Sequence, residues 1–304
     1  MNSVVTEVVK HGLLATGHYR RALARQTFPG VAVLCYHGVR RETHPSGRFP
    51  FDSLHIPAAV FDVHCRLIRE SCDPISLDDW HTAINGGPPL PKRPVLVTFD
   101  DGYRTVLTEA APILAAHELP AVVFVCTAPM TSTRVLWFDD LAAREGEASV
   151  EAWKSRDYDA WRAECASTSP LPDDDPRTLM RPSELAALAN MDLIEIGGHT
   201  ARHPILAHAS RCQQRLEIVE NLEAIETWTG RKVRAFAYPN GRPDIDYTAE
   251  TAAILRDAGV DAAFTTRPGF SAAYEPPLER SRFLVLDDLS EAELAHRLAY
   301  SWHR

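Results

Sequence analysis

At 304 residues, 45% hydrophobic and 24% charged, the chain has the composition of a globular protein with a sizeable core, which excludes a disordered or low-complexity chain. The 32 Lys and Arg against 41 Asp and Glu leave a net charge of −9, so the chain lacks the basic footprint of a nucleic-acid binder. No apolar run reaches the roughly 18 residues of a membrane-spanning helix, and Glu7, Lys10, His11 and His18 interrupt any signal-peptide core.

In chain order, residues 3–26 carry Val4, Val5, Val8, Val9, Leu13 and Leu14 at helical spacing. They predict an N-terminal helix, within residues 1–29, that docks on the body. The sharper alternative is a peripheral membrane helix with Arg20, Arg21 and Arg25 toward its far end. The apolar run 31–36 predicts a buried strand. Strands are then predicted at 94–99, 121–126, 192–196, 233–238 and 261–265, alternating with helices at 57–71, 104–117, 182–190, 210–229 and 247–258. This alternation predicts an α/β fold of βαβ units around six or seven parallel strands, either an open sheet or a closed barrel. Segment 141–181 breaks the rhythm with an acidic bias and a Pro-x-Pro-Asp-Asp-Asp-Pro run at 170–176, and is read as a partly helical insertion over one end of the sheet. No linker divides residues 30–304, which are read as one domain. The six cysteines form no CxxC pair, so they are expected to be reduced thiols in a cytoplasmic protein.

Three clusters follow predicted strands, at the end where α/β sheets place their ligands. In Thr98-Phe99-Asp100-Asp101-Gly102-Tyr103, two adjacent carboxylates behind a buried strand are costly without a cation. Alternation points them apart, so one can bind a metal while the other acts as a base. In Gly197-Gly198-His199-Thr200-Ala201-Arg202-His203-Pro204, histidines at i and i+4 face the same way on a helical turn and suit one ion. With Asp101 they make two imidazoles and a carboxylate, a set that leaves positions open for water. In Phe236-Ala237-Tyr238-Pro239-Asn240-Gly241, turn amides beside a metal can form an oxyanion hole.

The motifs Thr-Phe-Asp-Asp-Gly-Tyr, His-Thr-x-x-His-Pro and Phe-Ala-Tyr-Pro-x-Gly, in this order, resemble the polysaccharide deacetylase family (NodB-homology domain, carbohydrate esterase family 4). The resemblance runs from about residue 30 to about 285, less the insertion. It implies a distorted (β/α) barrel of about seven strands and metal-dependent removal of N-acetyl groups from amino sugars. It makes Asp101, His199 and His203 ligands of one divalent ion, zinc before cobalt, nickel or manganese, and Asp100 the general base. Tyr103, Tyr238 and Asn240 fall to the substrate and oxyanion. The stretch Val33–Val39 resembles the Tyr-His-x-Val motif of the biofilm-polysaccharide branch, which makes His37 the general acid. Ala237 stands where the standard third motif has Arg, so Arg280 or Arg282 is expected to orient Asp100, with the choice open. The implied partner is an N-acetylated carbohydrate, free or linked to a lipid or nucleotide. Two other readings are an amidase of the same fold acting on a small non-sugar C–N bond and a non-catalytic carbohydrate-binding relative.

Overall fold

The computed structural model describes residues 2–41, 49–165 and 168–300. Its strands are β1 (Ala32–Tyr36), β2 (Gly38–Arg40), β3 (His55–Pro57), β4 (Asp73–Pro74), β5 (Pro94–Phe99), β6 (Ala121–Val125), β7 (Ile194–Gly198), β8 (Ala235–Ala237), β9 (Ala262–Phe264) and β10 (Phe283–Leu284). Seven of them lie in the order β10-β1-β5-β6-β7-β8-β9, with every pairing parallel, and β4 adds to the start of β5. The sheet curls into the distorted (β/α) barrel. Its wall is thinnest between β9 and β1. There, residues 280–284 pair first with β9, through the Phe264–Arg280 bridge, and then with β1, through Leu34–Phe283.

Strands β1, β5 and β6 are buried along their whole length, as expected of parallel strands covered on both faces. Alternate residues split into two cores. Val33, Leu96, Val122, Phe124 and Phe264 fill the barrel interior, which Trp80 closes at the N-terminal end. The other face meets the helices. These are α1 (Asn2–Ala15), α2 (His18–Ala24), α3 (Ala58–Ser71), α4 (Leu77–Ile84), α5 (Ala111–Ala116), α6 (Trp137–Glu145), α7 (Glu147–Lys154), α8 (Tyr158–Cys165), α9 (Pro182–Ala189), α10 (Arg211–Thr229), α11 (Ala249–Asp257) and α12 (Glu291–Tyr300). On α3, Phe61, Cys65 and Ile68 recur at i, i+4 and i+7 and are fully buried. Full burial of Phe61 or Ile68 contributes about 1.5–3 kcal/mol each. Helix α10 starts at a capping box in which the Ser210 side chain and Gln213 satisfy one another's backbone N–H groups.

One expectation on element type changes. The N-terminal segment forms two helices because Gly17 takes a left-handed conformation, φ 68°, that ends the first. The second buries Tyr19 and Leu23, and Tyr19 and His18 hydrogen-bond His296 and Tyr300 on α12. Val8 and Val9 stay exposed. Within 141–181, the end of α6 and helices α7 and α8 are followed by residues 168–181 without a helix, so the insertion is partly helical, as expected. No helix among the described residues is long and apolar enough to cross a membrane, and all six cysteines are free.

Candidate active site

Strand β5 carries Asp100 and Asp101 to the C-terminal rim of the barrel, and they point apart. Asp100 faces the interior, where Arg282 Nη1 and Nη2 donate to its two oxygens, each at 2.7 Å. Arg282 is fully buried and anchored in turn, its Nε donating to Thr265 O at 2.9 Å. Burial alone would raise the Asp100 pKa. The guanidinium outweighs it and holds the carboxyl well below the usual range. Of the two candidate arginines, Arg282 therefore orients Asp100. Arg280 is the correction: it lies a layer lower, over the Trp80 ring, with Nη1 donating to Ala272 O.

Asp101, in a left-handed conformation at φ 75°, turns toward the histidines. Its Oδ1 lies 3.4 Å from His199 Nε2 and 3.6 Å from His203 Nε2, yet it is buried with no hydrogen-bond partner. His199 Nδ1 is 2.7 Å from Ala237 O. A carbonyl can only accept, so Nδ1 carries a proton and Nε2 is the nitrogen that faces the carboxylate. Burial would lower the His199 pKa, but Asp101 and Asp100 outweigh it and raise the value. An imidazole nitrogen and a carboxylate oxygen held 3.4 Å apart, with a second imidazole at 3.6 Å, fit a cation that takes the place of a shared proton. Burial lowers the His203 pKa to about 3, which keeps this second imidazole neutral and ready to ligate. Cys35, His37 and Asp100 also converge, but Arg282 already occupies both Asp100 oxygens and burial pushes the Cys35 thiol up. Asp101, His199 and His203 are thus the set that fits a divalent ion.

The spacing of the two histidines works, though not through a helical turn. Residues 199–203 form a loop after β7 in which Thr200 and His203 are both left-handed, at φ 65° and 64°. Such backbone outside glycine is strained and clusters at functional sites. Neighbours hold it: Thr200 Oγ1 accepts from His203 N at 2.9 Å, Trp137 Nε1 donates to His203 O at 3.0 Å, and Asn221 Oδ1 accepts from His199 N at 3.0 Å. Asn221 also donates to Val125 O at 2.9 Å, tying β6 and α10 to the histidine loop. The preceding glycines are steric necessities, since a Cβ on Gly197 would lie 2.3 Å from the Phe124 ring and one on Gly198 2.6 Å from Asn221 Oδ1. Asn221 and Trp137 are positioning residues for which the sequence offers no motif.

His37 follows β1 and lines the same cavity with its Nδ1 buried and unpartnered. Burial lowers its pKa, while Asp101 and Asp100 pull it back up. Asn240, left-handed at φ 54°, lines the cavity with an unpartnered buried Nδ2, and its carbonyl accepts from Thr266 Oγ1 at 2.6 Å. Two tyrosines depart from expectation. Tyr238 borders the cavity, but its ring stacks flat on Tyr247 with centroids 3.7 Å apart, its hydroxyl donates to Leu278 O and its N–H donates to Phe264 O. Tyr103 is fully buried against His55, and its hydroxyl donates to Asp139 at 2.9 Å. Neither hydroxyl is left for substrate, because strand alternation and the packing of α6 turn both rings into the core.

These groups surround a cavity of about 220 Å³. Phe51 and Leu54 form one apolar side and Leu284 another. Phe138, just before the insertion, and the insertion's own Val150 and Lys154 cover a third, the last a residue the sequence does not single out.

A parallel barrel with a His, His, Asp site at its C-terminal rim, next to an arginine-held carboxylate, defines a hydrolase-like centre, and comparison places it. The family model for polysaccharide deacetylase matches residues 87–263, and the chain belongs to that family, whose members hydrolyse carbon–nitrogen bonds. The chain is 26% identical over 306 residues to the poly-beta-1,6-N-acetyl-D-glucosamine N-deacetylase of Escherichia coli (strain K12), an alignment covering 91% of this chain. It spans only 40% of that relative's length. Among solved structures, it superposes on the Streptococcus pyogenes deacetylase PplD with a TM-score of 0.63 at 19% identity, covering 90% of this chain and 99% of that one. IcaB from Ammonifex degensii gives 0.61 at 22% identity, with the same coverage. These likenesses show the fold.

Proposed function

We propose that the protein is a metal-dependent hydrolase that removes an N-acetyl group from an amino-sugar substrate of the polysaccharide, oligosaccharide or linked-precursor class, releasing acetate. The observation that carries this reading is the orphaned Asp101 oxygen facing two imidazoles, next to a carboxylate that Arg282 keeps ionised. Two imidazoles and a carboxylate suit zinc and leave coordination positions open.

When bound, the ion supplies an acidified water and polarises the acetamide carbonyl. Asp100, ionised across the working pH range, takes the proton of the attacking water. Arg282 fixes both Asp100 oxygens, so the base keeps one orientation while its charge changes. The Asn240 turn presents N–H donors to the acetamide oxygen as negative charge develops there. His37 hands its proton to the sugar nitrogen as the C–N bond breaks, and acetate and a free amine leave. The apolar walls keep bulk water from competing.

The test combines metal content with acetate release from N-acetylglucosamine oligomers. Wild-type protein is expected to hold about one ion per chain, and His199→Ala to lose ion and turnover together. Asp100→Asn should keep the ion and lose roughly 10²–10⁴-fold in rate. Turnover surviving in Asp100→Asn would remove Asp100 from the role of base, and a protein that binds no ion would overturn the reading.

A further inference from the structure

The insertion does more than wall the cavity. Lys154, the last residue of α7, lines it together with Asp101, His199 and His203. Its side chain is 22% exposed and bonds Glu151 Oε1 at 2.7 Å within the same helix. Glu151 is 66% exposed, so water competes for that bond, and an ammonium keeps two further donors. Arg282, the other cation close to the cavity floor, is consumed by Asp100. With an ion on Asp101, His199 and His203, the charges facing the cavity sum to a positive value, inside a chain whose net charge is −9. A neutral sugar gains little from an ammonium at that position. An anionic group gains a charge-assisted hydrogen bond, strengthened by the apolar surroundings of Phe138 and Val150.

We propose that Lys154 is a specificity-determining residue through which the insertion selects N-acetylated sugars bearing an anionic group, a carboxylate or a phosphate, next to the acetamide. This rests on the deacetylase reading for its substrate but not for its test, which reads binding. The metal-loaded protein is titrated calorimetrically with chitotetraose and with a hyaluronan tetrasaccharide, whose uronates supply the carboxylate. A second arm compares N-acetylglucosamine with N-acetylglucosamine 1-phosphate. In wild type, one anionic probe is expected to bind about tenfold or more tighter than its neutral counterpart, and the arm in which this occurs identifies the anion. Lys154→Ala should collapse that ratio toward one and Lys154→Arg should keep it. Glu151→Gln, which frees the ammonium, should raise it. Equal affinities for neutral and anionic probes in wild type, no binding of either anionic probe, or an equal weakening of both by Lys154→Ala would each overturn the proposal. Acetate release is followed separately. Selective binding without hydrolysis would overturn the deacetylase reading and leave the lysine assignment standing.

Discussion

At the N-terminal end of the barrel, Arg234 reaches Asp78 and Glu195, Arg93 closes on Asp73, and Arg280 lies over Trp80 with a carbonyl to bond. At the C-terminal end, His37 Nδ1, Asp101 Oδ1, His203 Nδ1 and Asn240 Nδ2 are buried and unpartnered, and Asp101, Thr200, His203 and Asn240 all hold left-handed backbone. The same strands therefore finish in two different ways. One end is satisfied internally and supports the fold. The other carries unmet polar groups that a ligand or ion can pair, and strained backbone that neighbouring hydrogen bonds hold. Stability and chemistry are separated along the barrel axis.

The sharpest way to break this comparison is to remove the two arginines of residues 280–284 one at a time. Arg282→Ala leaves Asp100 buried without its partner. It is expected to cost about 3–5 kcal/mol in denaturant unfolding and roughly 10- to 100-fold in kcat. Arg280→Ala should cost only about 1–2 kcal/mol and leave kcat within about twofold. Equal catalytic losses in the two variants would dissolve the distinction between the layers.

Acid tests the C-terminal half differently. Burial lowers the His55 pKa from 6.5 to about 3. Between these values the unfolded chain binds a proton that the folded chain refuses. His55 therefore contributes stability above pH 6.5 that is lost as the pH falls toward about 3. The melting temperature of the metal-free protein should decline over that window, and His55→Phe should flatten the decline. Parallel curves for the two proteins would show that His55 is not the group responsible. The smallest effect belongs to the N-terminal end, where Arg234→Ala should cost under about 1 kcal/mol because its partners are partly solvated. A loss above about 2 kcal/mol would mean that this end is not the solvated boundary described.

Much of this was legible in the residues. Each long strand was predicted within about two residues of its observed limits because parallel strands buried on both faces read as unbroken apolar runs. The metal-fitting trio and Asp100 were legible as a set, because an N-cap explains a lone aspartate and chance a lone histidine pair, but neither explains three motifs in order. The Arg280 or Arg282 choice was not. Residues two apart on a strand face the same way, so both point into the barrel, and only the pairing of Phe283 with Leu34 sets their heights. The histidine loop imitated helical spacing because left-handed residues fold five positions back as tightly as a turn does. Tyr103 and Tyr238 looked available because local pattern does not reveal His55 or Tyr247, the neighbours that bury them. Lys154 sits in a segment whose composition carries no period from which to place it.

The thin wall between β9 and β1 has a consequence for the order of events during synthesis. Asp100 and Arg282 are 182 positions apart, and Arg282 reaches its place only when residues 280–284 close the barrel. A ribosome-bound chain can assemble β5, β6 and β7, with the three residues suited to an ion, well before that segment emerges. Until it docks, Asp100 has no guanidinium to hold it charged. Closure of the barrel and pairing of Asp100 with Arg282 are one event, so, on the proposed function, a truncated or stalled product would hold its ion-binding residues without an oriented base.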